Sequence, residues 1–218
     1  MHQVHIKETQ KSYNVGKIVC LGRNYLDHIR ELGNKVPDRA VIFCKPASSL
    51  LTDGGAINIP EYSNDCHHEL ELALLIGKTG KHIPESEALS YLDGYGVALD
   101  LTLRDVQSEL KGKGLPWEIA KGFDTSCPIS DFVPAQQVNN PNALQIKLTV
   151  NGEVRQNGNT AQMMRSVEEI IAEVSTFYTL EPGDIILTGT PAGVSRIESG
   201  DILEGTIEHV GTLKASVA

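Results

Sequence analysis

Three carboxylates pose the first chemical question. Glu69 and Glu71 stand two apart in Asp65-Cys66-His67-His68-Glu69-Leu70-Glu71-Leu72-Ala73-Leu74-Leu75-Ile76-Gly77, and Asp100 interrupts the apolar run Gly94 to Thr102. From His68 to Leu74 polar and apolar residues nearly alternate and the run stops at a glycine, which predicts a β-strand. Residues two apart share a strand face, so Glu69 and Glu71 project together while Leu70, Leu72 and Leu74 face the core. Carboxylates on Cα atoms about 6.5–7 Å apart repel by about 2 kcal/mol at an effective dielectric near 20, which a solvated face tolerates. Asp100 changes that reading, because a carboxylate inside an apolar strand is rarely buried without a partner. One account pairs it with Arg104, on the same face if the strand runs on that far. The other gathers the three carboxylates, from two strands, around a hard cation such as Mg²⁺ or Mn²⁺, with positions left for water or substrate. His67-His68 offers zinc ligands instead, but adjacent strand residues face opposite ways.

A second group lies upstream. His28 and Glu31 are three apart in Arg23 to Gly33, where Asn24 reads as an N-cap and Gly33 as the residue that ends a short helix. Such pairs are commonplace on solvated helices. In the functional reading Glu31 accepts from one imidazole nitrogen, fixing the tautomer and leaving the other as a general base. Lys121 sits in the short stretch Trp117 to Asp124, and Thr188-Gly189-Thr190-Pro191-Ala192-Gly193 is a turn whose hydroxyls and open N–H groups could hold a carboxylate.

The elements that must position these residues are mostly strands. Lys17–Leu21, Val41–Cys44, the Glu69 strand, Gly94–Thr102 and Ile185–Leu187 read as buried strands. Leu144–Val150 and Glu153–Gln156 form a hairpin around Asn151-Gly152. Ser166 with Glu169 opens a capped amphipathic helix reaching about Tyr178. Shorter helical stretches are expected at Glu85–Tyr91 and Asp105–Lys111, the latter broken by Gly112 and Gly114. No internal repeat or linker divides the chain, so residues 1–218 read as one α+β domain of many short strands.

The 218 residues suffice to bury a sizeable core. A net charge of −9 argues against a nucleic-acid partner, which needs clustered Lys and Arg. The cysteines Cys20, Cys44, Cys66 and Cys127 lack zinc or redox spacing. With no membrane-length apolar run and no signal-like N-terminus, a cytoplasmic protein that does not engage a membrane is expected.

An ordered set of motifs resembles the fumarylacetoacetate hydrolase family over nearly the whole chain. The set comprises Leu21-Gly22-Arg23-Asn24-Tyr25 with His28, Phe43-Cys44-Lys45-Pro46, His68-Glu69-Leu70-Glu71-Leu72, Asp100 with Arg104-Asp105-Val106-Gln107, Leu115-Pro116-Trp117 with Lys121-Gly122-Phe123-Asp124, and Leu187-Thr188-Gly189-Thr190-Pro191. The likeness is greatest to the short acylpyruvase and oxaloacetate decarboxylase branch. The resemblance implies a mixed β-sheet roll with few short helices, a homodimer, and Mg²⁺ or Mn²⁺ on Glu69, Glu71 and Asp100. It further implies a catalytic His28–Glu31 dyad with Lys121, and a small 2-oxo acid substrate met by Arg23, Arg104, Gln107 and Thr190. Ile18-Val19-Cys20 stands where the longer namesake enzymes carry a further acidic ligand, so fumarylacetoacetate itself falls outside the expected substrates. The implied chemistry runs through a metal-stabilised enolate and cleaves a C–C bond, by acylpyruvate hydrolysis or oxaloacetate decarboxylation. Isomerase or tautomerase action on 2-oxo or 2-hydroxy-dienoic diacids, oxaloacetate keto–enol exchange included, is the alternative. A metal-binding protein without turnover is the third reading; a candidate base with its own carboxylate partner weighs against it, since metal binding needs neither.

Overall fold

The computed structural model describes residues 2–218. Its central sheet runs, edge to edge, Val41–Lys45, Ile18–Gly22, Ile185–Leu187, Leu70–Ile76, Leu92–Leu99, Cys127–Ile129, Leu50–Thr52, with Val133–Pro134 also pairing with Leu92–Leu99. Ile185–Leu187 is parallel to Ile18–Gly22 and Cys127–Ile129 to Leu50–Thr52; the other pairings are antiparallel. A second sheet, Glu153–Asn159, Gln145–Val150, Ile202–Ile207, Gly211–Val217, Ala56–Ile57, packs on the first. The α-helices are few and short: α1 (Leu26–Glu31), α2 (Arg104–Lys113), α3 (Glu118–Lys121) and α4 (Val167–Phe177). This is the α+β mixed-sheet roll that the resemblance implied.

Local chemistry set several elements as read. Asn151 (φ 53°) and Gly152 (φ 82°) make the left-handed turn of the 145–159 hairpin. Ser166 and Glu169 form both bonds of the capping box, at 3.2 Å and 2.7 Å. Other positions were decided by tertiary partners. Tyr25, not Asn24, precedes α1, which has no side-chain cap. Asn24 is buried, donates to Thr188 O at 2.8 Å and accepts from the Arg165 amide at 3.0 Å, so its side chain ties three segments together.

The strand expected through Thr102 stops at Leu99. The Asp100 amide still donates to Glu69 O (2.8 Å), but the Leu101 amide turns to Ser126 O (3.0 Å), and Thr102–Leu103 pairs separately with Cys66–His67. Arg104 then opens α2, so it does not share a strand face with Asp100.

The Leu70–Ile76 strand is buried on both faces. Leu70, Leu72, Leu74 and Ile76 join a large core with Ile146, Leu148, Ile170 and Val174, while Ala73 and Leu75 join a smaller one with Ile18, Cys20 and Phe132. Each buried leucine is worth about 1.5–3 kcal/mol, and a slip by one residue would exchange the faces, so the register is strongly held. That register pairs Leu70 with Leu99 and Glu71 with Ala98. The acidic face is therefore not solvated, as an isolated Glu-x-Glu strand would be.

Candidate active site

The next step of this register sets Asp100 opposite Glu69, with Glu71 beside them on the same face. Each of the three carboxyls offers an oxygen within 4.8 Å of the others, and all three are buried. Asp100 does not pair with Arg104. Lys121 Nζ donates to Asp100 Oδ2 and Glu69 Oε2, both at 2.8 Å, and Lys45 Nζ lies 2.9 Å from Asp100 Oδ1. Arg104 Nη2 donates to Glu69 Oε1 and Nη1 donates to Gln107 Oε1 at 3.1 Å. Glu71 accepts from the Gly189 amide at 2.6 Å. Gly189 has φ 97°, and a Cβ there would stand 2.8 Å from Asn24 Cβ, so glycine lets the turn approach Glu71.

The three carboxyls differ in their electrostatics. Burial pushes Glu69 up, but Arg104 and Lys121 outweigh it and hold it ionised, well below the usual carboxylate range. For Glu71, burial and then the charges of Asp100 and Glu69 push the carboxyl well above that range; the Gly189 amide offsets only part. Burial pulls the Lys121 ammonium down, while Asp100 and Glu69 more than restore it, above an ordinary lysine. Asp100 Oδ1 has no well-directed hydrogen bond despite the nearby Lys45. An oxygen without a donor, beside a carboxyl that burial and its acidic neighbours push up, fits a hard divalent cation at this cluster. No other such group of His, Cys, Asp and Glu occurs among the described residues.

The cluster borders a small cavity. Of the residues expected around a substrate, Arg23, His28, Arg104, Gln107, Lys121 and Thr190 all line it, with Glu69 and Glu71. Asp100 lies beneath, reached through Lys121. On α1, His28 Nδ1 meets Glu31 Oε2 at 3.2 Å, and Glu31 Oε1 accepts from the Gly193 amide at 3.0 Å. A carboxylate can only accept, so Nδ1 donates to Glu31, and in the neutral ring Nε2 presents a lone pair. Thr190 is already committed: its hydroxyl donates to Leu70 O (2.8 Å) and accepts from Gln156 Nε2 (2.7 Å).

Several residues had not been singled out for the site. Lys45, 1% exposed, also donates to Lys121 O and Ser126 O and so joins Asp100 to the end of α3, which carries Lys121. A lysine closing an apolar strand before a proline was the available signal. Gln156 left none, because its partners are distant in sequence. The zinc alternative has no geometry: His68 is fully engaged, Nδ1 with Gln156 Oε1 (3.1 Å) and Nε2 with Ser195 Oγ (2.8 Å), while His67 pairs with Asp65 (3.0 Å).

Comparison with known proteins agrees with this architecture. The model of the fumarylacetoacetate (FAA) hydrolase C-terminal family matches residues 17–218. The oxaloacetate tautomerase YcgM of Escherichia coli (strain K12) is 48% identical over 197 residues, 90% of each chain. The mitochondrial oxaloacetate decarboxylase of Dictyostelium discoideum is 46% identical, again over 90% of each. The fumarylpyruvate hydrolase of Pseudomonas aeruginosa, solved with Mn²⁺ and pyruvate, superposes with a TM-score of 0.95 at 38% identity, covering 99% of this chain and 95% of that one. By sequence, fold and the order of its motifs, the chain belongs to the fumarylacetoacetate hydrolase family of enzymes.

Proposed function

We propose that the protein interconverts the keto and enol forms of oxaloacetate, with Mg²⁺ or Mn²⁺ held by Glu69, Glu71 and Asp100. The observation that carries this reading is His28: one ring nitrogen is held by Glu31 and the other takes no hydrogen bond from a described residue, in a ring that lines the carboxylate cavity. The 46–48% relatives named for oxaloacetate chemistry support it. When bound, the cation supplies electrophilic stabilisation of negative charge on the 2-oxygen. His28 Nε2 takes the C3 proton; the C–H electron pair becomes the C2=C3 bond and the carbonyl pair moves to oxygen. The imidazolium, steadied by Glu31, returns a proton to oxygen or carbon.

Charge balance favours a doubly charged substrate. Asp100 and Glu69 already face Lys45, Lys121 and Arg104, so an added divalent ion leaves the site net positive, and a dianion offsets that charge better than a monoanion.

The second reading is C–C cleavage, by hydrolysis of an acylpyruvate or decarboxylation, favoured by the TM-score of 0.95 to a fumarylpyruvate hydrolase. Oxaloacetate enol decay with Mg²⁺ and then with EDTA, with pyruvate measured in the same vessel, separates the two. Metal-dependent enol decay without matching pyruvate supports the tautomerase; pyruvate at the same rate supports cleavage. The proposal treats residues 1–218 as one catalytic unit working as a homodimer. The partly exposed apolar edge strand Val41–Lys45, beside exposed Leu115 and Ile119, is a surface that pairing would cover. A monomer by light scattering would remove that part.

A further inference from the structure

Among the residues that line the cavity, two cations lack an anion. Arg23 Nη2 donates to Asn34 Oδ1 at 3.1 Å, and Lys111 Nζ approaches the same oxygen at 3.4 Å. Arg23, Asn34 and Lys111 all line the cavity. Arg104 and Lys121, by contrast, have carboxylate partners. Among the described residues neither Arg23 nor Lys111 makes an ion pair. Two positive side chains therefore converge on one neutral amide oxygen.

The backbone favours this arrangement over chance surface charge. Arg23 holds φ at 60°, a left-handed conformation that costs about 1 kcal/mol or more for a residue with a side chain and that tends to persist at functional sites. Lys111 lies in the last turn of α2, where a lysine ordinarily serves the helix dipole. Here its ammonium reaches across to Asn34 and lies 6.0 Å from the Trp117 ring centroid. Burial, and then the charges of Arg23 and Arg104, pull it below the ordinary lysine range.

We infer that Arg23 and Lys111, spaced by Asn34, form a subsite for the second carboxylate of a 2-oxo diacid and so select diacids over 2-oxo monoacids. The inference rests on the 2-oxo acid reading of the same cavity. The 1-carboxylate and 2-oxo group belong at the Glu69, Glu71 and Asp100 end, and the distal carboxylate replaces Asn34 Oδ1 between the two cations. Asn34 then acts as a neutral placeholder, keeping the cations near each other until a carboxylate arrives.

The test is calorimetric titration of the Mg²⁺-loaded full chain with two ligands that cannot lose a C3 proton. These are 3,3-difluoro-oxaloacetate and 3,3-difluoro-2-oxobutyrate, which differ by carboxylate against methyl. Oxalate, which fills only the inner end, is the third ligand. Wild-type protein should prefer the diacid by about tenfold to a hundredfold, the worth of one or two charge-assisted contacts. Lys111→Gln, an exposed change safe for folding, should cut that preference about threefold to tenfold, and Arg23→Lys should cut it less than Arg23→Gln does. Asn34→Asp supplies a fixed carboxylate between the cations, so the diacid preference should vanish while oxalate still binds. A preference unchanged in both Lys111→Gln and Asn34→Asp overturns the subsite. A wild type that binds oxalate without favouring the diacid overturns it too, and leaves the 2-oxo acid reading standing. A wild type that binds none of the three overturns both.

Discussion

His28 and His68 are both buried, and in both Nδ1 faces a side-chain oxygen, Glu31 in one case and Gln156 in the other. They differ at Nε2. In His68 it accepts from Ser195 Oγ at 2.8 Å, and Gln156 continues the network to the Leu70 amide, Thr190 and Pro191. Burial pulls His68 down to about 4, so it is neutral and inert at neutral pH. In His28 no described residue takes Nε2, and the ring borders the cavity. A buried polar network with every member satisfied specifies structure; one with a single open valence, beside a carboxylate cluster, is equipped for proton transfer. Sequence type alone does not separate the two histidines.

The comparison breaks most sharply if the acidic pole is not what His28 serves. Glu71→Gln keeps the shape and removes the charge, and should lower activity about 10³-fold, with weakened Mg²⁺ or Mn²⁺ binding by titration calorimetry. Asp100→Ala should also cost about 3–5 kcal/mol of stability, since Lys45 and Lys121 lose a buried partner. Full activity in either variant would remove the cluster from the chemistry.

Next in size is the base itself. His28→Asn should lower kcat for enol–keto exchange about 10²–10⁴-fold while leaving the melting temperature nearly unchanged. The effect on hydrolysis of an acylpyruvate, where a water must be activated, should exceed that on decarboxylation. Equal losses would assign His28 to substrate binding or to a proton transfer common to both.

His68→Ala should do the reverse. It leaves Gln156 and Ser195 without their partner and should cost about 1–3 kcal/mol, with activity per folded molecule close to wild type. A kinetic loss as large as that of His28→Asn would erase the distinction between the two rings.

His68 also gives the comparison a pH signature. Its folded value of about 4 lies below the unfolded value near 6.5, so the unfolded chain binds the extra proton between them. Stability is then fully present above pH ~6.5 and is lost as pH falls toward ~4, by at most about 3 kcal/mol. Denaturant melts across that window should show the slope, and His68→Gln should flatten it. A wild-type profile without the slope would mean that His68 is not held neutral.

The smallest effect is dynamic. The His28 amide lies in the first turn of α1 without a helical acceptor, whereas the His68 amide donates to Ser195 O at 3.2 Å. Tyr25 and Ile29 dock α1, but Leu26 and Leu32 are each 37% exposed, as are most residues of the loop that follows. Hydrogen exchange should therefore be faster around His28 to Asp38 than around His68, and oxalate with Mg²⁺ should slow the former only. Uniform protection without ligand would make α1 a fixed wall and not a lid.

Much of this was legible in the chain because it depends on neighbours in sequence. Strand alternation placed Glu69 and Glu71 on one face, Asn151-Gly152 made its turn, Ser166 and Glu169 capped α4, and the spacing of His28 and Glu31 on α1 sufficed for their contact. The order of short motifs sufficed for the family. Tertiary structure decided what depends on partners far apart. Only the pairing of Leu70 with Leu99 sets Asp100 against Glu69, and only the turn after Leu99 separates Arg104 from Asp100 and leaves that acid to Lys45 and Lys121. Asn24 became a three-way tie and not a helix cap, because a buried amide with Thr188 and Arg165 in reach gains more there than at a helix end. The physical reason is common to all of these. Local conformation follows from steric and hydrogen-bonding preferences within a few residues, whereas the partner of a buried charge is whichever opposite group the packed register delivers.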